Sequence, residues 1–169
     1  MSVPQPDFEQ FFVANYDQLV RSLTAITGDA ETARDCVQDA FIKASTRWRR
    51  VRRYDSPITW VRRVAINRSR DLHRADQRRR RRERRVAPAS DQRSEDESGL
   101  VDGSMRLLDL LRQLPDRQRS VAALFYVEDL PVAEIATILG ISSGAVKFHL
   151  NKARQALRGA MEGEGQRYG

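Results

Sequence analysis

Cysteine is almost absent from this chain: of 169 residues only Cys36 carries a thiol. A lone thiol excludes an internal disulfide and a four-cysteine zinc site. Histidine is nearly as scarce, and His73 and His149 stand far apart in the sequence. That leaves no clustered ligand set, so no metal site is expected. No nucleophile–base pair and no phosphate-cradling glycine loop is present, which argues against an enzyme. No cofactor and no small-molecule substrate are therefore expected. No apolar run reaches membrane-spanning length, so membrane insertion is not expected. The first residues, MSVPQPDFEQ, lack the basic-then-apolar pattern of a secretory signal, and the expected compartment is a reducing cytoplasm. Lysine too is rare. Only Lys43, Lys147 and Lys152 occur, so nearly all of the 30 basic residues are arginine.

What is abundant is positive charge in one place. The net charge is +7, but residues 47–86 alone carry +13. The flanking segments 1–46 and 87–103 each carry −4, and residues 104–169 carry +2. A concentrated arginine block is an electrostatic footprint for phosphates, and the planar guanidinium suits both phosphate and guanine. The run RRRRRERR from Arg78 to Arg85 reads equally well as a phosphate-contacting patch or as a solvated tail.

Hydrophobic spacing organises the first half into helices. Phe8, Phe11, Phe12, Tyr16, Leu19, Val20, Leu23 and Ile26 mark one apolar stripe. Gly28 ends it, and Asp29 is placed to cap the next helix. There Ala33, Cys36, Val37, Ala40, Phe41 and Ala44 share a side, while Asp35, Gln38, Asp39 and Lys43 fall largely elsewhere. Cys36 reads as a small core residue rather than a reactive thiol. RWRRVRRYDSP, from Arg47 to Pro57, then mixes arginine with Trp48 and Tyr54. Trp48 is assigned to the core. Ser56 and Pro57 open a third helix, with Ile58, Val61, Val64, Ala65 and Leu72 inward. Trp60, Arg63, Asn67, Arg70 and Arg74 form its second, basic face. From Asp76 to Asp102 the apolar pattern fails, and the segment reads as a largely disordered linker that could span about 90 Å.

The second half is helical again. Leu107, Leu108, Leu110, Leu111 and Leu114 form a stripe closed by Pro115, and Val121, Ala122, Leu124 and Phe125 form the next. LPVAEIATILGISSGAVKFHLNKARQALR, from Leu130 to Arg158, has the offsets of a helix-turn-helix. Ile135, Ala136 and Leu139 pack the first helix, Gly140 supplies the turn and Ile141 plugs the corner. Ser142 or Ser143 caps the second helix, which buries Val146, Leu150 and Ala153. Ala145, Lys147, Phe148, His149, Asn151, Lys152 and Arg154 then face outward. Lys147 and Asn151 suit base edges, Phe148 a thymine methyl, and Lys152 and Arg154 phosphates. His149 reads as a polar helix residue. The expected fold class is all-α: two small helical domains on a flexible linker, the second holding the helix-turn-helix.

Three segments, in order around an acidic linker, resemble a bacterial RNA polymerase sigma factor of the extracytoplasmic-function type, group 4 of the sigma-70 superfamily. They are GDAETARDCVQDAFIKASTRW from Gly28, TWVRRVAINRSRDLHR from Thr59, and Leu114 to Arg158. The resemblance implies a first domain over residues 1–75, a basic-then-acidic linker over 76–103 and a second domain over 104–162. It implies that Asp35, Gln38 and Asp39 dock on core RNA polymerase, at a coiled coil of the beta-prime subunit. Tyr54, Trp60, Arg63, Asn67, Arg70 and Arg74 then melt and read the −10 element, with Arg62 and Arg68 adding charge along the strand. Opening a duplex needs rings to hold unpaired bases and a basic track for the backbone, which fits these types. Trp60 suits a core position as well as a base platform. Ser142, Ser143, Lys147, Phe148, Asn151, Lys152 and Arg154 would read the −35 element as duplex DNA. The partners implied are core polymerase, promoter DNA in duplex and single-stranded form, and an anti-sigma factor. Read without the resemblance, two other classes fit: a dimeric helix-turn-helix activator, and an arginine-rich RNA-binding protein.

Overall fold

Two glycines and three polar caps punctuate the chain. The computed structural model describes residues 7–86 and 103–165, and in them the protein forms helices and no strand. Helix α1 (Phe8–Thr27) ends where Gly28 takes a left-handed turn at φ 76°, its N–H bonding the Thr24 carbonyl at 2.8 Å. Asp29 then caps α2 (Ala30–Thr46), its carboxylate accepting the Thr32 N–H at 2.8 Å. Hydrogen bonds from the Thr32 side chain and backbone hold the Asp29 carboxyl below its ordinary value. A single turn, α3 (Trp48–Val51), leads to α4 (Pro57–Val86), where the Ser56 hydroxyl receives the Thr59 N–H at 3.4 Å.

Helices α1, α2 and α4 form one bundle. Leu19, Leu23, Val37, Phe41, Val61 and Ile66 are buried at its centre. Ala33, Ala40 and Ala44 keep α2 close to both neighbours, and Cys36 is fully buried among them. Burial raises the Cys36 thiol pKa, which fits an inert core residue. Trp48 meets the Phe8 ring edge-on and lies tilted against Phe11, with ring centroids 5.4 and 4.9 Å away.

The second bundle comprises α5 (Gly103–Arg112), α6 (Asp116–Tyr126), α7 (Val132–Leu139) and α8 (Ser143–Gly165). Leu111, Val121, Leu124, Ile135, Val146 and Ala153 are its fully buried centre.

The structure corrects the sequence reading at two places. The segment from Asp76 does not begin as a linker: α4 continues without a break to Val86. Arginine is a good helix former, and Asp76 pairs with Arg79 at 2.9 Å and Arg80 at 2.8 Å, each a stabilising i,i+3 or i,i+4 contact. An apolar stripe is not needed where propensity and side-chain pairs suffice. The acidic part of the expected linker, 87–102, lies outside the described residues. The second correction is Arg62. It is not on an open basic track but buried, 8 % exposed, beneath the second bundle.

That burial shows how the two bundles meet. Helix α1 lies against α5 and α6, and α4 against α7. Arg62 Nε pairs with Glu128 at 2.5 Å, and its second arm reaches Glu134 at 3.4 Å. Ser22 donates its hydroxyl to the other oxygen of Glu128, and Thr59 donates to Glu134 at 3.0 Å. Farther along the seam, Arg119 donates to the Ile26 carbonyl at 2.7 Å and Arg112 to the Gly28 carbonyl at 3.0 Å. Buried apolar residues of both bundles join one continuous core around these contacts.

A buried ion pair adds little over an apolar replacement, yet losing one partner strands the other. Glu128→Ala is therefore expected to lower the stability of the full chain by about 3 kcal/mol. The paired change Arg62→Met with Glu128→Leu should recover most of that loss. Urea unfolding followed by circular dichroism checks both.

Candidate nucleic-acid interface

The helix-turn-helix is built from α7 and α8. Val132–Leu139 ends at Gly140, whose φ of 64° turns the chain, and the following Ile141 N–H bonds back to Ala136 at 3.1 Å. A Cβ at Gly140 would meet nothing within 4 Å. The left-handed backbone, not lack of room, therefore favours glycine there. Ser142 is the cap of the two serines: its hydroxyl oxygen receives the Ala145 N–H at 3.0 Å, and Ser143 becomes the first residue of α8.

Burial of Ile135, Leu139, Val146, Leu150 and Ala153 locks α8 against α7 and orients its other side outward. Lys147, Phe148, Asn151 and Lys152 are exposed there, as are Ser142 and Ser143 at its start. Phe148 keeps 59 % of its surface in solvent, a large apolar ring with no intramolecular reason to be bare. The Lys152 ammonium sits 5.8 Å over that ring, so the two form one amphipathic patch. Ala145 and His149 are half-buried rather than outward, and His149 Nδ1 is enclosed with no hydrogen-bond partner among the described residues. Arg154 is exposed but folded back: its Nε donates to the Tyr126 hydroxyl at 2.9 Å and its guanidinium lies 5.4 Å from the Phe125 ring centre. It flanks the patch rather than projecting from it.

The first bundle presents a second surface. Trp60, Arg63, Asn67, Arg70 and Arg74 recur at three- and four-residue spacing along α4 and so share one face. Arg63, Asn67 and Arg74 are exposed. Tyr54, in the turn before α4, is exposed and lies 6.4 Å from the half-buried Trp60 ring. Trp60 packs partly against the core and keeps its ring beside Tyr54. Arg70 stands at the margin of this face, half-buried near Arg117 of α6. Burial first, then the charges of Arg117 and Arg74, lowers its pKa from the ordinary guanidinium value.

On α2, Asp35 and Gln38 are exposed and Asp39 is half-buried. Asp39 pairs with Arg68 of α4 at 3.1 Å, which ties Arg68 to α2 and away from the basic face. Sequence reasoning missed Ser22, Glu128 and Glu134 altogether. Glu128 lies in the short turn VEDLP between α6 and α7, where a carboxylate ordinarily reads as solvated; only Arg62, an arginine four residues from two apolar positions, hinted at a buried partner. Among the described residues no group of three or more potential ligands forms a metal site, and no helix is long and apolar enough to cross a membrane.

These surfaces coincide with two known modules. Residues 11–80 match the family model for sigma-70 region 2, and residues 104–157 match that for sigma-70 region 4. The RNA polymerase sigma-E factor of Streptomyces avermitilis is 30 % identical over 163 residues, covering 92 % of this chain and 86 % of that one. The ECF RNA polymerase sigma factor SigL of Mycobacterium tuberculosis is 33 % identical over 156 residues, covering 86 % and 85 %. The sigma factor RpoE of Bartonella quintana, solved in complex with the anti-sigma factor NepR, shares the fold with a TM-score of 0.75. It is 20 % identical and covers 92 % of this chain and 97 % of that chain. CnrH, solved with the cytosolic domain of CnrY, has a TM-score of 0.63 at 21 % identity, covering 92 % and 88 %.

The chain belongs to the sigma-70 family, in its extracytoplasmic-function branch. Proteins of this family are not enzymes; they bind core RNA polymerase and direct it to promoters. The activator and RNA-binding readings fall with that assignment.

The cap that starts α8 sets the phase of its outward face. Ser142→Ala should destabilise the chain by about 1 kcal/mol, as loss of a helix cap does. Ser143→Ala should stay within about 0.5 kcal/mol of the unaltered protein. Thermal unfolding of the two variants side by side distinguishes them.

Proposed function

We propose that this sigma factor grips its promoter at two surfaces and core polymerase at a third, with the residues divided as follows. The start of α8 enters the major groove of the −35 element. Lys147 and Asn151 hydrogen-bond base edges, Phe148 touches a thymine methyl, and Ser142, Ser143, Lys152 and Arg154 position the helix on the backbone. The observation that carries this reading is the bare Phe148–Lys152 patch beside Lys147 and Asn151, on a helix whose opposite side is fully buried.

The outer face of α4 handles the −10 element. Tyr54 and Trp60 offer rings to unpaired bases, Asn67 helps hold an extruded base, and Arg63, Arg70 and Arg74 follow the strand. Stacking is sequence-tolerant and worth about 1–3 kcal/mol per base, enough to favour the opened strand once core polymerase is in place. Asp35, Gln38 and Asp39 on α2 dock on the beta-prime coiled coil. The acidic face of α2 and the basic face of α4 then divide the first bundle into a protein side and a nucleic-acid side.

Residues 1–75 and 104–162 are the two functional units, and α4 extends the first as a basic helix to Val86. A cytoplasmic location follows from the polymerase partner. An anti-sigma factor is a fitting further partner, since the sigma factor RpoE was solved in complex with the anti-sigma factor NepR.

Run-off transcription with purified core polymerase on a promoter library tests the reading. The unaltered chain should direct specific initiation. Lys147→Ala with Asn151→Ala should reduce it at least tenfold, about the effect of losing one good base contact. A strong specific footprint from the free protein, without core polymerase, would overturn the division of labour.

A further inference from the structure

Where the two bundles part beyond the Arg62 contacts they leave a cleft of about 760 Å³. It lies between the end of α1, the stretch of α4 from Ser69 to Arg80, and the first turns of α6. That volume falls in the range of small-ligand sites. Its walls are strongly basic. The carboxylates that line it are already engaged: Asp76 pairs with Arg79 and Arg80, and Asp116 pairs with Arg119 at 2.6 Å and lies 3.4 Å from His73. Arg119 is further satisfied by the carbonyls of Ile26 and Leu114. Three guanidiniums are left over. Arg70, Arg74 and Arg117 line the same cleft, and none has an ion-pair partner among the described residues.

Their grouping calls for an anion. Two of the three come from one bundle and one from the other. Arg70 is half-buried, and its charge is disfavoured by burial and by both neighbours. Arginine cannot relieve such crowding by losing its proton. Among the arginines that line the cleft, Arg80 and Arg119 pair with carboxylates, and Arg70, Arg74 and Arg117 do not. The N-terminus of α6, a helix of 11 residues with no side-chain cap, opens on the same cleft and adds positive potential. One phosphate group carries about −1.5 to −2, so two linked phosphates match three guanidiniums where one does not.

We propose that the cleft binds a diphosphate group, free or carried by a nucleotide, through Arg70, Arg74 and Arg117. Because the three arms come from both bundles, the bound anion bridges the seam and stabilises the arrangement in which the bundles touch. Arg70 and Arg74 also belong to the proposed −10 face, whereas Arg117 lies outside the promoter-reading and polymerase-docking surfaces, so substitution at Arg117 tests the cleft apart from that division of labour.

Isothermal titration of the full chain with inorganic pyrophosphate, at constant ionic strength, is the test. Saturable one-to-one binding is expected, at least tenfold tighter than for inorganic phosphate, together with a rise in unfolding temperature. Arg117→Gln should weaken it at least tenfold, and Arg117→Lys should fall between, since it keeps the charge and loses the fork. Neither variant should lower the unfolding temperature without ligand, and both should direct run-off transcription as the unaltered chain does. A nucleoside diphosphate that binds more tightly than pyrophosphate identifies a nucleotide as the source; weaker binding identifies the free diphosphate. Unsaturable heats, equal affinity for phosphate and pyrophosphate, or unchanged binding by Arg117→Gln would overturn the proposal.

Discussion

A buried charge cannot stand alone, and the arrangement of this molecule turns on that rule. Arg62 lies on the inner side of α4, where an apolar residue would pack against α7 without demanding any particular partner. The guanidinium demands one, and it finds Glu128 and Glu134 in the other bundle. Ser22 and Thr59 complete the set of hydrogen bonds, so both carboxylates and the guanidinium are satisfied at one point of the seam. Apolar surfaces slide over one another with small changes in energy; a fully bonded polar node does not. The node therefore specifies the register of two bundles that the sequence connects only through residues outside either.

That register has a consequence for the working surfaces. The second bundle rests on α4, the helix whose outer face carries Trp60, Arg63 and Asn67. Contact with one side of a helix leaves the opposite side free, so the basic face and the α8 patch both remain open to solvent while the bundles touch. Arg70 and Arg74 are the exceptions, since both line the cleft shared with α6. Their surroundings accordingly change when the bundles separate.

Periodicity made the individual helices legible. Leu19, Leu23 and Ile26, or Val146, Leu150 and Ala153, announce their burial by spacing alone, and Gly28, Asp29 and Gly140 announce the breaks. The exposed face of α8 was legible for the same reason, as the complement of its buried one. What escaped was of two kinds. The extension of α4 to Val86 rests on arginine's helix propensity and on Asp76 pairing along the helix, neither of which leaves an apolar stripe. The seam rests on pairs such as Arg62 with Glu128, 66 positions apart. A polar residue in a sequence points to water until its partner is located, and no local pattern locates it. The partners of Arg68 and Arg154 escape in the same way: the spacing shows that both residues face outward, but not that they pair with Asp39 and Tyr126.

Helix α4 is a rod of 30 residues, about 45 Å long at 1.5 Å per residue. Its last three turns carry the arginine run outward as a stiff mast, every residue from Gln77 to Val86 being exposed. Departure from a mast has a compass bearing. One residue inserted into or removed from the arginine run would swing that bearing by about 100° and shift the point of exit by about 1.5 Å. The length of the run from Arg78 to Arg85 thus sets the angular phase at which α4 ends.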